Sequence, residues 1–167
     1  MKHARIAIAA LAVSAAGLVS LVTHEGYTDF AMIPVAGDVP TVGFGSTKRD
    51  DGTPVRIGDK ITPPHALARS LAHIQKDETR LRQCVTAPLL QAEYDLLVSH
   101  AYQYGAAATC GSGIVRSINA GRYVDACEQY SRWRFVAGRD CAQPGSGCRG
   151  VAIRAEERRT KCMEVQK

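Results

Sequence analysis

Glu25 stands at the end of an uncharged apolar stretch. It is followed by an extended run from Tyr27 to Ile33, a Gly37-Asp38 turn, and the segment Pro40-Thr41-Val42-Gly43-Phe44-Gly45-Ser46-Thr47. Two carboxylates on either side of a reacting bond can divide acid and base work, one donating a proton to the leaving oxygen and the other activating water. Cleavage of a glycosidic bond uses such a division: one acid stays protonated near neutral pH while its partner stays ionised. A glutamate on a helix behind apolar residues has its ionised form disfavoured by desolvation, which suits the acid. Asp38, at a solvated turn, is expected to stay ionised, and Asp29 is the alternative partner. By residue type and spacing alone, two ordinary surface carboxylates are an equal reading.

Several elements must position these residues. A helix is expected before Glu25 and a hairpin after it, its turn rich in glycine. Thr47 to Lys60 is polar, with Asp51-Gly52 and Gly58-Asp59 as turn signals. Thr62-Pro63-Pro64 reads as an N-cap and first helical turn, and Leu67, Leu71, Ile74, Glu78 and Leu81 continue it at helical spacing. Pro88 opens a second helix that ends at Gly105, broad in its apolar faces and expected to be buried. Gly111 to Asn119 and Gly121 to Trp133 read as two more helices. Val151 to Met163, dense in Arg and Glu, reads as a helix with a solvated face.

The length suits one domain with a sizeable core, without repeats or long linkers. Lys and Arg outnumber Asp and Glu by 21 to 16, which favours anionic partners. No basic tract is interleaved with aromatics, so nucleic acid is an unsuitable partner. The six cysteines, Cys84, Cys110, Cys127, Cys141, Cys148 and Cys162, read as a disulfide framework in an oxidising compartment. Cys141 and Cys148 flank a Pro- and Gly-rich loop and are expected to pair. Zinc is the alternative, disfavoured by the lack of a C-x-x-C pair.

At the N-terminus, Lys2 and Arg5 precede the uncharged run Ile6 to Val22. It is long for a signal-peptide core and short for a membrane span of about 20 residues. A cleaved signal peptide, a permanent anchor and a releasable signal-anchor all fit the run, and Ser14, Gly17 and Ser20 weaken its hold on lipid.

The order from Glu25 through the Gly-rich segment to Thr47 resembles the catalytic start of phage-type lysozymes. The resemblance implies an α+β, mostly α, lysozyme-like fold: a small β-hairpin lobe joined by a long helix to a larger helical lobe, here preceded by an N-terminal apolar helix. It implies a muramidase that hydrolyses the β-1,4 bond between N-acetylmuramic acid and N-acetylglucosamine and so lyses a bacterial host, with no metal or organic cofactor. Glu25 would be the general acid, Asp38 would orient or activate water, and Thr41 would hold that water. The implied course is inversion, with carboxyls roughly 6.5–9.5 Å apart. The family places its aspartate six residues before the threonine, which is Val35 here, and Glu25 to Thr41 is one residue longer than usual, so Asp38 takes the role from a lengthened turn. Ala101-Tyr102-Gln103-Tyr104-Gly105 resembles a family segment that makes Gln103 a candidate sugar contact. Ser131-Arg132-Trp133 also resembles the family; Trp133 could stack on sugar, although a lone Trp is more often core. The run Ile6 to Val22 resembles the signal-anchor-release element of some endolysins. That implies an anchor over 1–23, a catalytic domain over 24–167, an inner-membrane partner facing the periplasm, later release to the periplasm, and a monomer. Two rivals remain: a lytic transglycosylase, which needs one carboxyl, and a non-catalytic membrane-tethered wall-binding module.

Overall fold

The computed structural model describes residues 4–34 and 38–167. These form two compact units, residues 14–77 and residues 1–13 with 78–167.

The smaller unit opens with α1 (Ala15–Glu25). Ser14 caps it, its hydroxyl accepting from Gly17 N at 3.0 Å, which satisfies one of the donors left open in a first helical turn. Gly26, at φ 70°, ends it. β1 (Thr28–Met32) then pairs antiparallel with β2 (Thr41–Gly43), Thr28 opposite Gly43 and Met32 opposite Thr41, with an irregularity between. The other edge of β1 binds residues 59–61: Ala31 N donates to Asp59 O at 2.9 Å and Ile61 N to Asp29 O at 3.0 Å. Ala31, Val42, Val55, Ile61 and Ala66 form the core beneath. Arg49 clamps the following loop through Asp59 at 2.7 Å, and that partner, with the Arg56 backbone N–H, holds the Asp59 carboxyl down to about 2.

α2 (Pro63–Cys84) continues from this unit into the second. The second unit adds α3 (Gln91–Tyr104), α4 (Ala106–Cys110), α5 (Gly113–Asn119), α6 (Tyr123–Gln129), a short hairpin of β3 (Phe135–Val136) and β4 (Arg139–Asp140), and α7 (Arg149–Glu164). Tyr94, Leu97 and Val98 of α3 are fully buried with Leu81, Leu89 and Ile114, so α3 is the central helix that its broad apolar faces imply. The helix expected from Gly111 to Asn119 begins two residues later, at Gly113, because Ser112 caps it by accepting from Val115 N. The β3–β4 hairpin turns through Ala137 and Gly138, both at positive φ, and was not among the elements expected from the sequence. Disulfides join Cys84 to Cys110, Cys127 to Cys162 and Cys141 to Cys148, the last being the local bridge expected from the loop between them.

The N-terminal apolar helix is not there. Ile6 is a bridge residue, exchanging two backbone hydrogen bonds with Leu89 at 2.9 and 2.8 Å. Ile8–Ala10 is one 3-10 turn, Leu11 is extended, and α1 begins only at Ala15. Ser14 starts a new helix where an unbroken span would need its side chain passive, and Ile8 and Leu11 are buried in protein, at 7% and 2% exposure. Arg5 is tied to Glu93 at 2.6 Å, and Arg82 donates to Leu11 O at 2.9 Å. The 11 residues of α1 span about 16 Å against about 30 Å of hydrocarbon. Among the described residues no helix is long and apolar enough to cross a membrane. The signal-anchor-release subtype, the inner-membrane partner and the passage from inner membrane to periplasm, all expected from Ile6 to Val22, are therefore withdrawn.

His100 of α3 is wholly buried among aromatic rings: Trp133 at 4.5 Å, Tyr104 at 4.7 Å and Tyr130 at 5.6 Å between centroids. Thr109 Oγ1 donates to Gly105 O and so accepts from His100 Nδ1 at 2.9 Å. Burial, reinforced by the Arg158 charge, pushes the imidazole down to about 3. The unfolded chain, with histidine near 6.5, binds this proton over the interval in which the folded protein refuses it. Stability from His100 is thus complete above pH 6.5 and lost as pH falls towards 3. Urea midpoints at pH 7 and pH 4 are expected to differ less in His100→Leu than in the parent protein; an equal difference would show that other groups carry the acid sensitivity.

Candidate active site

Glu25 is the last residue of α1 and is half-buried. After β2 the chain reverses sharply: Val42 and Ser46 exchange backbone hydrogen bonds, each at 3.0 Å, closing a turn of Gly43, Phe44 and Gly45. Both glycines have positive φ, 68° and 73°, where a Cβ is strained. A Cβ on Gly43 would stand 2.8 Å from the Ala66 Cβ, and one on Gly45 would stand 3.1 Å from Glu25 Oε2. The bare backbone of Gly45 is therefore what the Glu25 carboxylate lies against. The Gly-rich run, read from sequence as hairpin chemistry, also shapes the seat of the Glu25 carboxylate.

Gly45→Ala follows as a sharp test. Positive φ costs about 1–2 kcal/mol in a residue with a Cβ, and the new methyl group crowds Glu25 Oε2 at 3.1 Å. Misplacing a reacting group by a fraction of an ångström to 1 Å costs up to about 100-fold. We expect turnover to fall at least about tenfold in a protein that still melts cooperatively; full activity would detach Gly45 from the placement of Glu25.

Asp38 is exposed and its Oδ1 accepts from the Val39 N–H at 2.8 Å, the local bond by which an aspartate shapes a turn. Gly37 and Val35, the other half of the expected turn and the position equivalent to the family aspartate, lie outside the described residues. Thr41 opens β2, and its hydroxyl stands 3.5 Å from the Met32 carbonyl oxygen, too long for a strong bond. Asp29, the alternative carboxylate, is exposed on β1 and borders a groove with Lys60 and His65.

In the helical unit, Gln103 lies near the end of α3. Its Oε1 accepts from Arg158 Nη2 at 2.7 Å and from Arg154 Nε at 3.3 Å. Arg158 also reaches Ser99 Oγ and the Ser99 carbonyl, each at 3.3 Å, and is only 6% exposed. The charged C-terminal segment read as a solvated face thus turns two arginines inward. Their signal was the i, i+4 spacing of Arg154 and Arg158, which puts both on one side of α7. Trp133 packs its ring on His100 and on Tyr104, the latter at 4.8 Å, which is the core role.

A sequence model of the phage lysozyme family matches residues 22–152. The chain is 31% identical over 128 residues to the endolysin of Salmonella phage P22, covering 77% of this chain and 86% of that protein. It is 32% identical over 128 residues to the SAR-endolysin of Pseudomonas phage phiKMV, covering 77% and 74%; the anchor in that name belongs to that protein. The endolysin of Escherichia coli O157:H7 phage FAHEc1 superimposes with a TM-score of 0.79 at 27% identity, covering 93% of this chain and 95% of that one. The matched span carries both the helix that ends in Glu25 and the glycine turn against it: this chain belongs to the phage lysozyme family and is a glycosidase that hydrolyses peptidoglycan.

Proposed function

We propose that Glu25 is the general acid of this hydrolysis, protonating the glycosidic oxygen between N-acetylmuramic acid and N-acetylglucosamine, and that Asp38 and Thr41 manage the attacking water. The observation that supports this most is the packing of the Glu25 carboxylate on the bare Gly45 backbone. A carboxyl group held by a turn rather than by its own flexible stem keeps its geometry through proton transfer. Asp38 is exposed, and its Oδ1 accepts from the Val39 N–H. Thr41, at the start of β2, offers a hydroxyl that can accept from water and donate to it. Gln103, its oxygen fixed by Arg154 and Arg158, offers its amide N–H groups to a sugar oxygen or acetamido carbonyl. Lysis of the host cell is the biological role that this activity serves.

A water held by Asp38 attacks opposite the leaving group, so the fresh reducing end is α. Proton NMR of the first turnover on a soluble glycan fragment reads this directly. An α anomer is expected. A β anomer would make the second carboxylate a nucleophile, and an anhydro end seen by mass spectrometry would remove water from the step; either outcome overturns the role given to Asp38.

A further inference from the structure

Beside β1 the hairpin unit carries an open groove of about 540 Å³, and none of Glu25, Asp38 or Thr41 lines it. Its aromatic walls are Tyr27 and Phe30, 37% and 51% exposed, and its rim carries Asp29, Lys60, Thr62 and His65. The walls are set in place: the Tyr27 hydroxyl donates to Ile61 O at 2.7 Å, and its ring leans on Phe44 with centroids 5.4 Å apart. Phe30 pairs with Lys60 across the strand edge, and the Lys60 ammonium stands 4.9 Å from the Phe30 ring centroid.

We infer that this groove is a second binding site for peptidoglycan, taking one anionic unit of a glycan strand outside the bond being cleaved. This rests on the hydrolase reading of the chain. Apolar C–H faces of a sugar ring cover an exposed aromatic ring, and the hydroxyl and acetamido groups that remain at the sugar edge need polar partners around it. Phe30 offers the ring, and Asp29 and Thr62 offer acceptors and a donor. Lys60 and the positive end of α2, which begins at Pro63, meet the carboxylates of a muropeptide. A shelf this open suits a segment of polymer better than a small apolar molecule, which needs enclosure. Two sites on one strand hold the enzyme to an insoluble wall by raising the effective concentration of the cleft's own substrate.

The test uses the full-length chain. Phe30→Ala and Lys60→Gln, each introduced into Glu25→Gln so that nothing is cleaved, are sedimented with purified sacculi. The same two changes in the active background are assayed on soluble glycan fragments too short to reach both sites. We expect each change to weaken sacculus binding about tenfold and to leave turnover of soluble fragments within about twofold. Unchanged sacculus binding overturns the inference. So does a loss, in its place, of binding to anionic phospholipid vesicles or of self-association, which would give the groove to lipid or to a second copy. Failure of the active parent to release any glycan would instead overturn the hydrolase reading, and is seen separately in the product assay.

Discussion

Glu25→Gln is expected to lower peptidoglycan turnover by roughly 10² to 10⁴-fold, the usual contribution of a positioned general acid. Glutamine keeps the length and shape of the side chain that lies on Gly45 but has no proton to give. The melting temperature is therefore expected to move by only a few degrees, since the side-chain volume is kept and no cavity opens. Release of soluble glycan, together with a thermal melt, separates the two effects. A variant that stays active would make Glu25 structural and place the general acid on another residue. A variant that fails to fold would mean that Glu25 secures α1 rather than serving chemistry, and Glu25→Asp, which keeps the charge but draws it back from Gly45, then distinguishes position from charge.

The second large effect concerns stability. Replacing Cys127 and Cys162 together by alanine is expected to cost about 3–4 kcal/mol. The bridge closes 35 residues, and opening it returns that loop's conformational freedom to the unfolded chain. The Cys141–Cys148 bridge closes only 7, so its removal should cost less, about 2 kcal/mol by the same relation. Both losses are read from urea denaturation of the oxidised variants. An equal cost, or the reverse order, would mean that local strain or packing around Cys127, which is fully buried, outweighs chain entropy. Two of the three bridges join segments far apart in sequence, so the stability of the helical unit depends on its cysteines being oxidised.

The elements that the sequence announced were those with a local cause. Thr62 before two prolines starts α2, whose first backbone bond runs from Ala66 N to Thr62 O, because caps and prolines act within one turn. Glycines at 43 and 45 bend the chain after β2 because only a residue without Cβ holds those φ values at no cost. The Cys141–Cys148 bridge was legible because a short loop brings its ends together by itself.

The run Ile6 to Val22 shows where local reading stops. Its composition is equally suited to lipid and to a protein interior, and composition cannot say which apolar surroundings the residues find. In the folded chain Ile6 pairs with Leu89, Arg5 with Glu93, and Leu11 O accepts from Arg82. These contacts join residues more than seventy positions apart and leave no trace in the run itself.

Residue order by itself determined the place of Glu25 before a glycine hairpin, the helix starts and the oxidised chemistry of the cysteines, since each depends on neighbours within a few residues. The tertiary structure alone decided three things: that the Glu25 carboxylate rests on Gly45, that Arg154 and Arg158 turn towards Gln103, and that the apolar start folds onto protein. Each of these depends on long-range packing, in which a side chain's role is set by whatever the rest of the chain brings against it.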